Sequence, residues 1–124
     1  MGKKVDDTVL DGAFNIIKNG AIRMVACSAE PANYAGIAAV SLADVTVASG
    51  DFTIANGDTS GRKVTVAAKS AVLIDTSGTA THIVLHDNAS VMHYVTTCTS
   101  QALTANGSNT VNFPSWDIEI ADPT

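Results

Sequence analysis

The chain has 124 residues and a formal net charge of −5, with 46% hydrophobic but only 5% aromatic residues. This composition is too apolar for a disordered chain, and the length suits one domain with an aliphatic core. No apolar run approaches the roughly 20 residues that a membrane-spanning helix needs. The first residues do not resemble a signal peptide. We therefore expect no membrane partner and a protein that stays in the cytoplasm where it is made.

The charges are distributed unevenly along the chain. All seven Lys and Arg residues precede position 70, where an equal number of acids balances them. The remaining acids account for the whole net charge: Asp75, Asp87, Asp117, Glu119 and Asp122. Phosphate binding requires clustered Lys and Arg, so we expect no nucleic-acid partner. The acidic half either solubilises the surface or docks on a basic protein surface.

The first element in the chain is a predicted amphipathic helix over about residues 6–19. Asp6 or Asp7 can cap its N-terminus, because a carboxylate accepts the free backbone N–H groups there. Apolar residues recur at spacings of three and four along one face, namely Leu10, Ala13, Phe14 and Ile17. We expect Gly20 to end the helix in the left-handed conformation.

After the helix, the pattern changes to the period of two that indicates β-strands. Residues 21–27 alternate as a strand, whereas residues 34–47 combine a helix-like first half with a strand-like second half. The strand patterns at 51–55 and 62–68 flank the turn NGDTSG, which predicts a hairpin.

Further strand patterns follow to the end of the chain. Residues 71–75 are predicted to pair with residues 79–85, and the latter strand to pair with 91–97 through the turn DNAS. Pro114 separates residues 110–113 from a last alternating strand at 115–121. Six to nine short strands predict a mainly β fold, a small antiparallel β-sandwich or barrel, in a single domain over 1–124.

Three histidines, His82, His86 and His93, are the strongest candidates for site chemistry. A turn through residues 87–90 would put all three on one face of the hairpin. In that register His82 and His86 lie about 13 Å apart along a strand, and each is about 7–8 Å from His93. One zinc ion could reach a diagonal pair but hardly all three. We therefore predict no metal, no cofactor and no catalytic residues.

Three other features can each be interpreted either as ordinary structure or as part of a functional site. Cys27 and Cys98 have no zinc-like spacing and are expected to be reduced, although a bridge between two neighbouring strands stays open. The segment NGDTSGR contains glycine, acid and hydroxyl groups, but Asn-Gly and Ser-Gly are turn dipeptides. Trp116 is either a core anchor or an interface anchor.

Several segments together resemble a family of small tailed-bacteriophage structural proteins. These segments are KKVDDTVLDGAFNIIKN, CSAEPANY, GDTSGRKVTV, TATHIVL and YVTTCTSQALTANGSNTVNFPSWDIEIADP. The resemblance extends from Lys3 to Pro123, and the closing segment is its most distinctive part. It implies a virion component without catalytic residues.

The resemblance, with the size of the chain, implies a capsid decoration (cement) protein on the virion surface, made in the host bacterial cytoplasm. Its expected partners are the major capsid protein and further copies of itself, with a homotrimer as one arrangement. Leu10, Phe14, Ile17 and Trp116 are the predicted contact residues. For the helix residues, the alternative is that they complete the core of the monomer. The alternative functions are a tail, neck or head-fibre component with an adhesion or connector role, and a small hydrolase or metal-dependent enzyme.

Overall fold

A computed structural model describes residues 3–124, so residues 1 and 2 of the predicted domain 1–124 lie outside the described part. Helix α1 spans Asp7–Gly20 and helix α2 spans Ile37–Val40, with 3-10 turns at Tyr34–Gly36 and Ser49–Asp51. Nine strands follow in chain order: β1 Arg23–Cys27, β2 Ser41–Thr46, β3 Phe52–Asn56, β4 Arg62–Val66, β5 Lys69–Leu73, β6 Gly78–His86, β7 Met92–Leu103, β8 Thr110–Phe113 and β9 Trp116–Ile120.

The strands form antiparallel sheets that pack as a small β-sandwich, as the sequence predicts. The structure contains a four-stranded sheet of order β2-β1-β6-β7, a three-stranded sheet of order β3-β4-β9 and the pair β5-β8. A single large apolar core receives side chains from all three sheets. Its most buried members include Met24, Phe52, Val64, Val66 and Leu85.

Helix α1 begins as predicted but ends differently. Asp6 is the N-cap, and its Oδ1 accepts the backbone N–H of Thr8 at 2.9 Å. The hydrogen bonds from Thr8 hold the pKa of the Asp6 carboxyl below its usual value. The predicted left-handed stop at Gly20 is wrong, because Gly20 is the last helical residue and extended Ala21 follows it. The Ala21 N–H donates to the carbonyl of Ile17, which closes the last turn.

The predicted hairpin between residues 71–75 and 79–85 is also wrong. Strand β5 pairs with β8, whereas β6 lies in the four-stranded sheet between β1 and β7. The chain passes from one sheet to the other after Ile74, where the N–H groups of Asp75 and Thr76 both donate to the carbonyl of Leu42. Residues 76–78 therefore connect two different sheets rather than the two strands of a hairpin.

The ambiguous residues 34–47 contain both predicted structures in succession. A 3-10 turn and α2 cover residues 34–40, and β2 follows at once. The short helical segment lies on the outer face of the four-stranded sheet, over a second apolar cluster around Val25, Cys27 and Val84. The four-stranded sheet is thus buried on both faces along its central strands.

Candidate functional site

The β6–β7 hairpin does not place the histidines on one face in the predicted register. Val84 pairs with Val95 and Leu85 with Tyr94, but His86 pairs with Met92, so His93 is the extra residue of a bulge. The carboxylate of Asp87 accepts three backbone N–H groups of the turn, and these bonds lower its pKa to about 2. The Asp87 N–H donates to the carbonyl of Val91, which tightens the turn and shifts the pairing by one residue.

His86 is a buried residue with a defined hydrogen-bond role. Its Nδ1 accepts the backbone N–H of Asn88 at 2.8 Å, and the ring of Tyr34 meets it edge-on at 5.4 Å between centroids. Burial lowers the pKa of His86 below its usual value. In the neutral ring the lone pair of Nδ1 is already used and Nε2 carries the proton. His86 therefore has no free basic nitrogen for proton abstraction.

His93 lies against the end of α1. A β-carbon at Gly20 would lie only 2.6 Å from its Nε2, so the missing side chain of Gly20 makes room for the ring. The buried Nδ1 of His93 has no hydrogen-bond partner among residues 3–124. His93 thus contacts α1 so closely that a side chain at position 20 would require its ring to move.

His82 has a local partner of its own, the hydroxyl of Thr81, 2.8 Å from its Nδ1. Among residues 3–124, no three His, Cys, Asp or Glu side chains lie close enough to hold a metal ion together. The three histidines are neighbours in sequence, but they have separate surroundings in the fold.

A cavity of about 270 Å³ opens beside His86 on the outer face of the four-stranded sheet. It is lined by Val25, Tyr34, Ala35, Ile37, Ala38, Ser41, Asp44, His86 and Asn88. The Asp44 carboxylate is paired with Arg23 at 3.3 Å, so its charge is partly compensated. The cavity combines an apolar floor with a few polar groups, one of which is the Asp44 carboxylate.

A larger groove of about 480 Å³ lies between the second half of β7 and β8. Its walls are mostly apolar and reach into the main core at Ile83, Leu103 and Phe113. Cys98 is its only titratable side chain, and burial raises the pKa of that thiol. The groove therefore lacks the charged groups that acid–base chemistry needs.

The two cysteines are free thiols on opposite faces of the four-stranded sheet. Cys27 is fully buried in the outer apolar cluster, whereas Cys98 packs against the main core. Burial is the main reason that the pKa of Cys27 rises to about 11, and the neighbouring Cys98 adds to it. Both thiols are free, so the pairing left open by the sequence is not formed.

The glycine-rich segment NGDTSG connects β3 to β4 as predicted. Gly61 has a positive φ of 67°, and a β-carbon there would collide with the carbonyl of Ile120. Lys63 binds Asp58 of the turn at 2.6 Å and Asp117 of β9 at 3.4 Å. The hydrogen bond to Asp58 raises the pKa of the lysine. The polar residues of the segment therefore serve the turn and its contacts with the neighbouring strands.

Of the predicted contact residues in α1, two face the core of their own chain. Leu10 and Phe14 are 8% and 1% exposed, and Ile17 packs partly buried beside them. Their predicted role toward a partner stays a prediction, although the monomer already uses much of their surface.

Trp116, the fourth predicted contact residue, stacks on Tyr94 with ring centroids 6.0 Å apart. It packs partly buried against the main core, and its Nε1 has no hydrogen-bond partner among the described residues. Its position agrees with the core-anchor interpretation, while the interface interpretation stays a prediction.

A different face of α1 is open to solvent, and the sequence analysis missed it. Val9 is 65% exposed and Ile16 is 67% exposed, and Gly12 and Ala13 lie exposed between them. We call these four residues the outer stripe. Ala13 was predicted to lie on the buried face, and Val9 and Ile16 were not among the predicted contact residues. The signal was present in the sequence, because residues 9, 13 and 16 recur at spacings of four and three.

No protein-family model, curated protein or solved structure matches this chain. No helix within residues 3–124 is long and apolar enough to cross a membrane.

Proposed function

We propose that the chain is a non-enzymatic structural protein of a tailed-bacteriophage virion that decorates the outer capsid surface and stabilises the head. The observation that carries the proposal is the outer stripe on α1. Val9 and Ile16 are about two-thirds exposed on one face of α1, and contiguous exposed apolar surface supports a role in association. The resemblance of the sequence to small phage structural proteins supports the same assignment.

The fold suits a protein that works in many copies on a regular shell. A small antiparallel sandwich is a rigid body, and α1 is held to it at one face while its other face remains available. Each copy needs to contribute only a modest interaction energy, because many copies act together on one particle. We expect the major capsid protein to be the main partner.

The decisive experiment is quantitative mass spectrometry of purified virions of the phage that encodes the chain. We expect one copy per major capsid subunit, or a simple fraction such as one third, because lattice positions fix the ratio. A handful of copies per particle would instead assign the chain to the neck, tail or head fibres. Absence from the particle would overturn the structural proposal.

A binding experiment tests the stabilising role directly. Particles that lack the protein should lose DNA at a lower temperature, and adding back the purified chain should restore their resistance. We expect Ile16→Ser to bind such particles less well than the matched variant Asn15→Ser, which changes an exposed residue outside the outer stripe. If particles that have bound no chain retained their DNA equally well on heating, the stabilising role would be contradicted.

A further inference from the structure

The chain contains three Asn-Gly pairs, at residues 19–20, 56–57 and 106–107. Asparagine before glycine is prone to spontaneous deamidation, because glycine leaves its own backbone nitrogen unhindered and conformationally free. We propose that Asn106 is a site of deamidation in the native protein, whereas the fold protects Asn19 and Asn56. This inference does not depend on the proposed function.

The reaction needs only the asparagine, the glycine that follows it and water. A solvent base removes the proton from the Gly107 nitrogen, which then attacks Cγ of Asn106. The N–Cγ bond forms, the Cγ–Nδ2 bond breaks, and Nδ2 leaves as ammonia with the proton that the base returns. Water opens the resulting succinimide at Cγ to give aspartate, or at the main-chain carbonyl to give isoaspartate. Nothing is oxidised or reduced, so the availability of the glycine N–H decides which pair can react.

The pair at residues 19–20 is held by the helix. All three asparagines are exposed, so exposure does not distinguish the sites. Gly20 is the last residue of α1, where each N–H donates to the carbonyl four residues earlier. The ring of His93 also lies against Gly20. Attack by the Gly20 nitrogen therefore requires the end of the helix to unwind.

The pair at residues 56–57 is held by the hairpin between β3 and β4. The Gly57 N–H donates to the carbonyl of Gly61 at 3.0 Å. The Asn56 side chain is fixed as well, because its Oδ1 accepts the guanidinium of Arg62 at 2.7 Å. Both reacting groups are therefore engaged, and the turn must open before they can meet.

The pair at residues 106–107 lies in the loop between β7 and β8, where the glycine nitrogen is available. The Gly107 N–H has no acceptor among residues 3–124. Gly107 is exposed with a positive φ of 87°, and a β-carbon there would have no atom within 4 Å. A solvent base can therefore reach this nitrogen without any opening of the fold.

The loop also supplies hydrogen-bond donors to the atom on which negative charge develops. Oδ1 of Asn106 accepts the backbone N–H groups of Ser108 and Asn109 at 2.9 and 2.7 Å, and the Ser108 hydroxyl at 3.2 Å. When the Gly107 nitrogen adds to Cγ, Oδ1 becomes the oxyanion of the intermediate, which such donors stabilise. The arrangement therefore favours the reaction at Asn106 in the folded loop.

Deamidation at this position would alter the start of β8. Isoaspartate lengthens the main chain by one carbon and displaces the oxygen that organises the loop. Asn109 depends on that loop, since its carbonyl accepts the N–H of Ile74 at 3.0 Å and its Nδ2 donates to the carbonyl of Thr104 at 2.9 Å. We therefore expect the Ile74 N–H to exchange faster with solvent in the modified protein.

Peptide mapping of the purified full chain, aged at mildly alkaline pH, tests the assignment. Tandem mass spectrometry of a chymotryptic digest locates each asparagine that has become an acid. In the native protein we expect Asn106 to react at least about tenfold faster than Asn19 or Asn56, because those two react only after local opening. In urea the three pairs should react at similar rates. Asn109 is the internal control, because it lies exposed in the same loop before threonine and should keep its amide.

The variant Asn106→Gln keeps an amide but closes the corresponding larger ring much more slowly, so it should remove the acid from this loop only. Methylation by an isoaspartyl methyltransferase detects isoaspartate in the aged wild type, and hydrogen exchange measures its effect at Ile74. An Asn106 that keeps its amide, or equal rates at the three pairs in the native protein, would overturn the proposal. Unchanged exchange at Ile74 in fully modified protein would overturn the effect on β8.

Discussion

The guanidinium of Arg62 in β4 binds both carboxylate oxygens of Asp11 in α1, with N–O distances of 2.8 and 3.2 Å. The two residues are 51 positions apart, and their side chains are 17% and 25% exposed. This two-bond contact fixes the rotation of α1 on the sandwich, because a planar guanidinium matches a carboxylate in one orientation. It therefore also decides which helix residues face solvent.

The ion pair leads to a first prediction. Asp11→Ala should lower the midpoint of thermal unfolding by a few degrees, and Arg62→Lys should lower it to a similar extent, because lysine cannot form the two parallel bonds. The coupling in a double-mutant cycle of these two positions should shrink in 1 M salt. Differential scanning calorimetry at low and high salt measures this. Additive effects of the two substitutions would contradict the coupling.

The thiols give a second prediction, on reactivity. At pH 8, only about one thousandth of Cys27 is thiolate if its pKa is about 11, and its side chain is fully buried. Cys98 is partly exposed in the groove between β7 and β8. We expect native protein to react with DTNB slowly at one thiol, and unfolded protein to react at two.

The variant Cys98→Ser is the matched control for the thiol measurement. It should show almost no reaction until urea unfolds the protein. A second thiol that reacts in the native state at the rate of the first would show that the outer apolar cluster opens more easily than its burial implies.

A third prediction concerns pH and His86. Burial lowers the native pKa of His86 below the value of about 6.5 in the unfolded chain. Just below pH 6.5 the unfolded state therefore binds more protons, so stability rises with pH in this range and is lost as the pH falls. We expect the free energy of unfolding in urea to decrease from pH 7.5 to pH 5.5.

His86→Asn tests whether His86 causes that decrease. The side-chain oxygen of the new residue can still accept the N–H of Asn88, but it does not titrate. The variant should therefore lose less stability than wild type between the two pH values, even if it is less stable at both. An unchanged pH dependence in the variant would contradict the assignment.

Local signals explain what the sequence predicted well. The N-cap at Asp6, the turn NGDTSG and the break at Pro114 all act over a few residues, and each marks an observed boundary. The partner of β5 depends instead on β8, almost 40 residues later, and no turn signal reports a pairing at that distance. The apolar alternation of a strand shows that it pairs, but not with which strand.

The candidate site shows the same limit of sequence-based prediction, over a few residues rather than 40. The face of His93 depends on the bulge that it forms in β7, and a shift of one position in the pairing reverses the side chains of that strand. The spacing of Val9, Ala13 and Ile16 in the sequence already indicated the outer stripe. What the sequence did not show was which half of a wide apolar arc the sandwich would cover, because that depends on the Asp11–Arg62 contact.

The close approach of Gly20 and His93 gives a last prediction, in which a glycine-to-alanine substitution has the opposite of its usual effect on stability. Alanine is a better helix former than glycine by about 1 kcal/mol, so Gly20→Ala would ordinarily stabilise the last turn of α1. Here the added β-carbon would lie 2.6 Å from His93 Nε2 and would displace a ring held in the β7 bulge. We therefore expect Gly20→Ala to destabilise the wild-type protein by about 1–3 kcal/mol, in the range for overpacking.

The same substitution in a His93→Ser background should be neutral or stabilising, because the smaller side chain leaves space for the β-carbon. Urea unfolding of the four proteins in this cycle measures both effects. Gly12→Ala is the matched control, since nothing lies within 4 Å of a β-carbon there, and it should stabilise the isolated chain by up to about 1 kcal/mol. If Gly20→Ala and Gly12→Ala had equal effects, the helix end would not depend on His93.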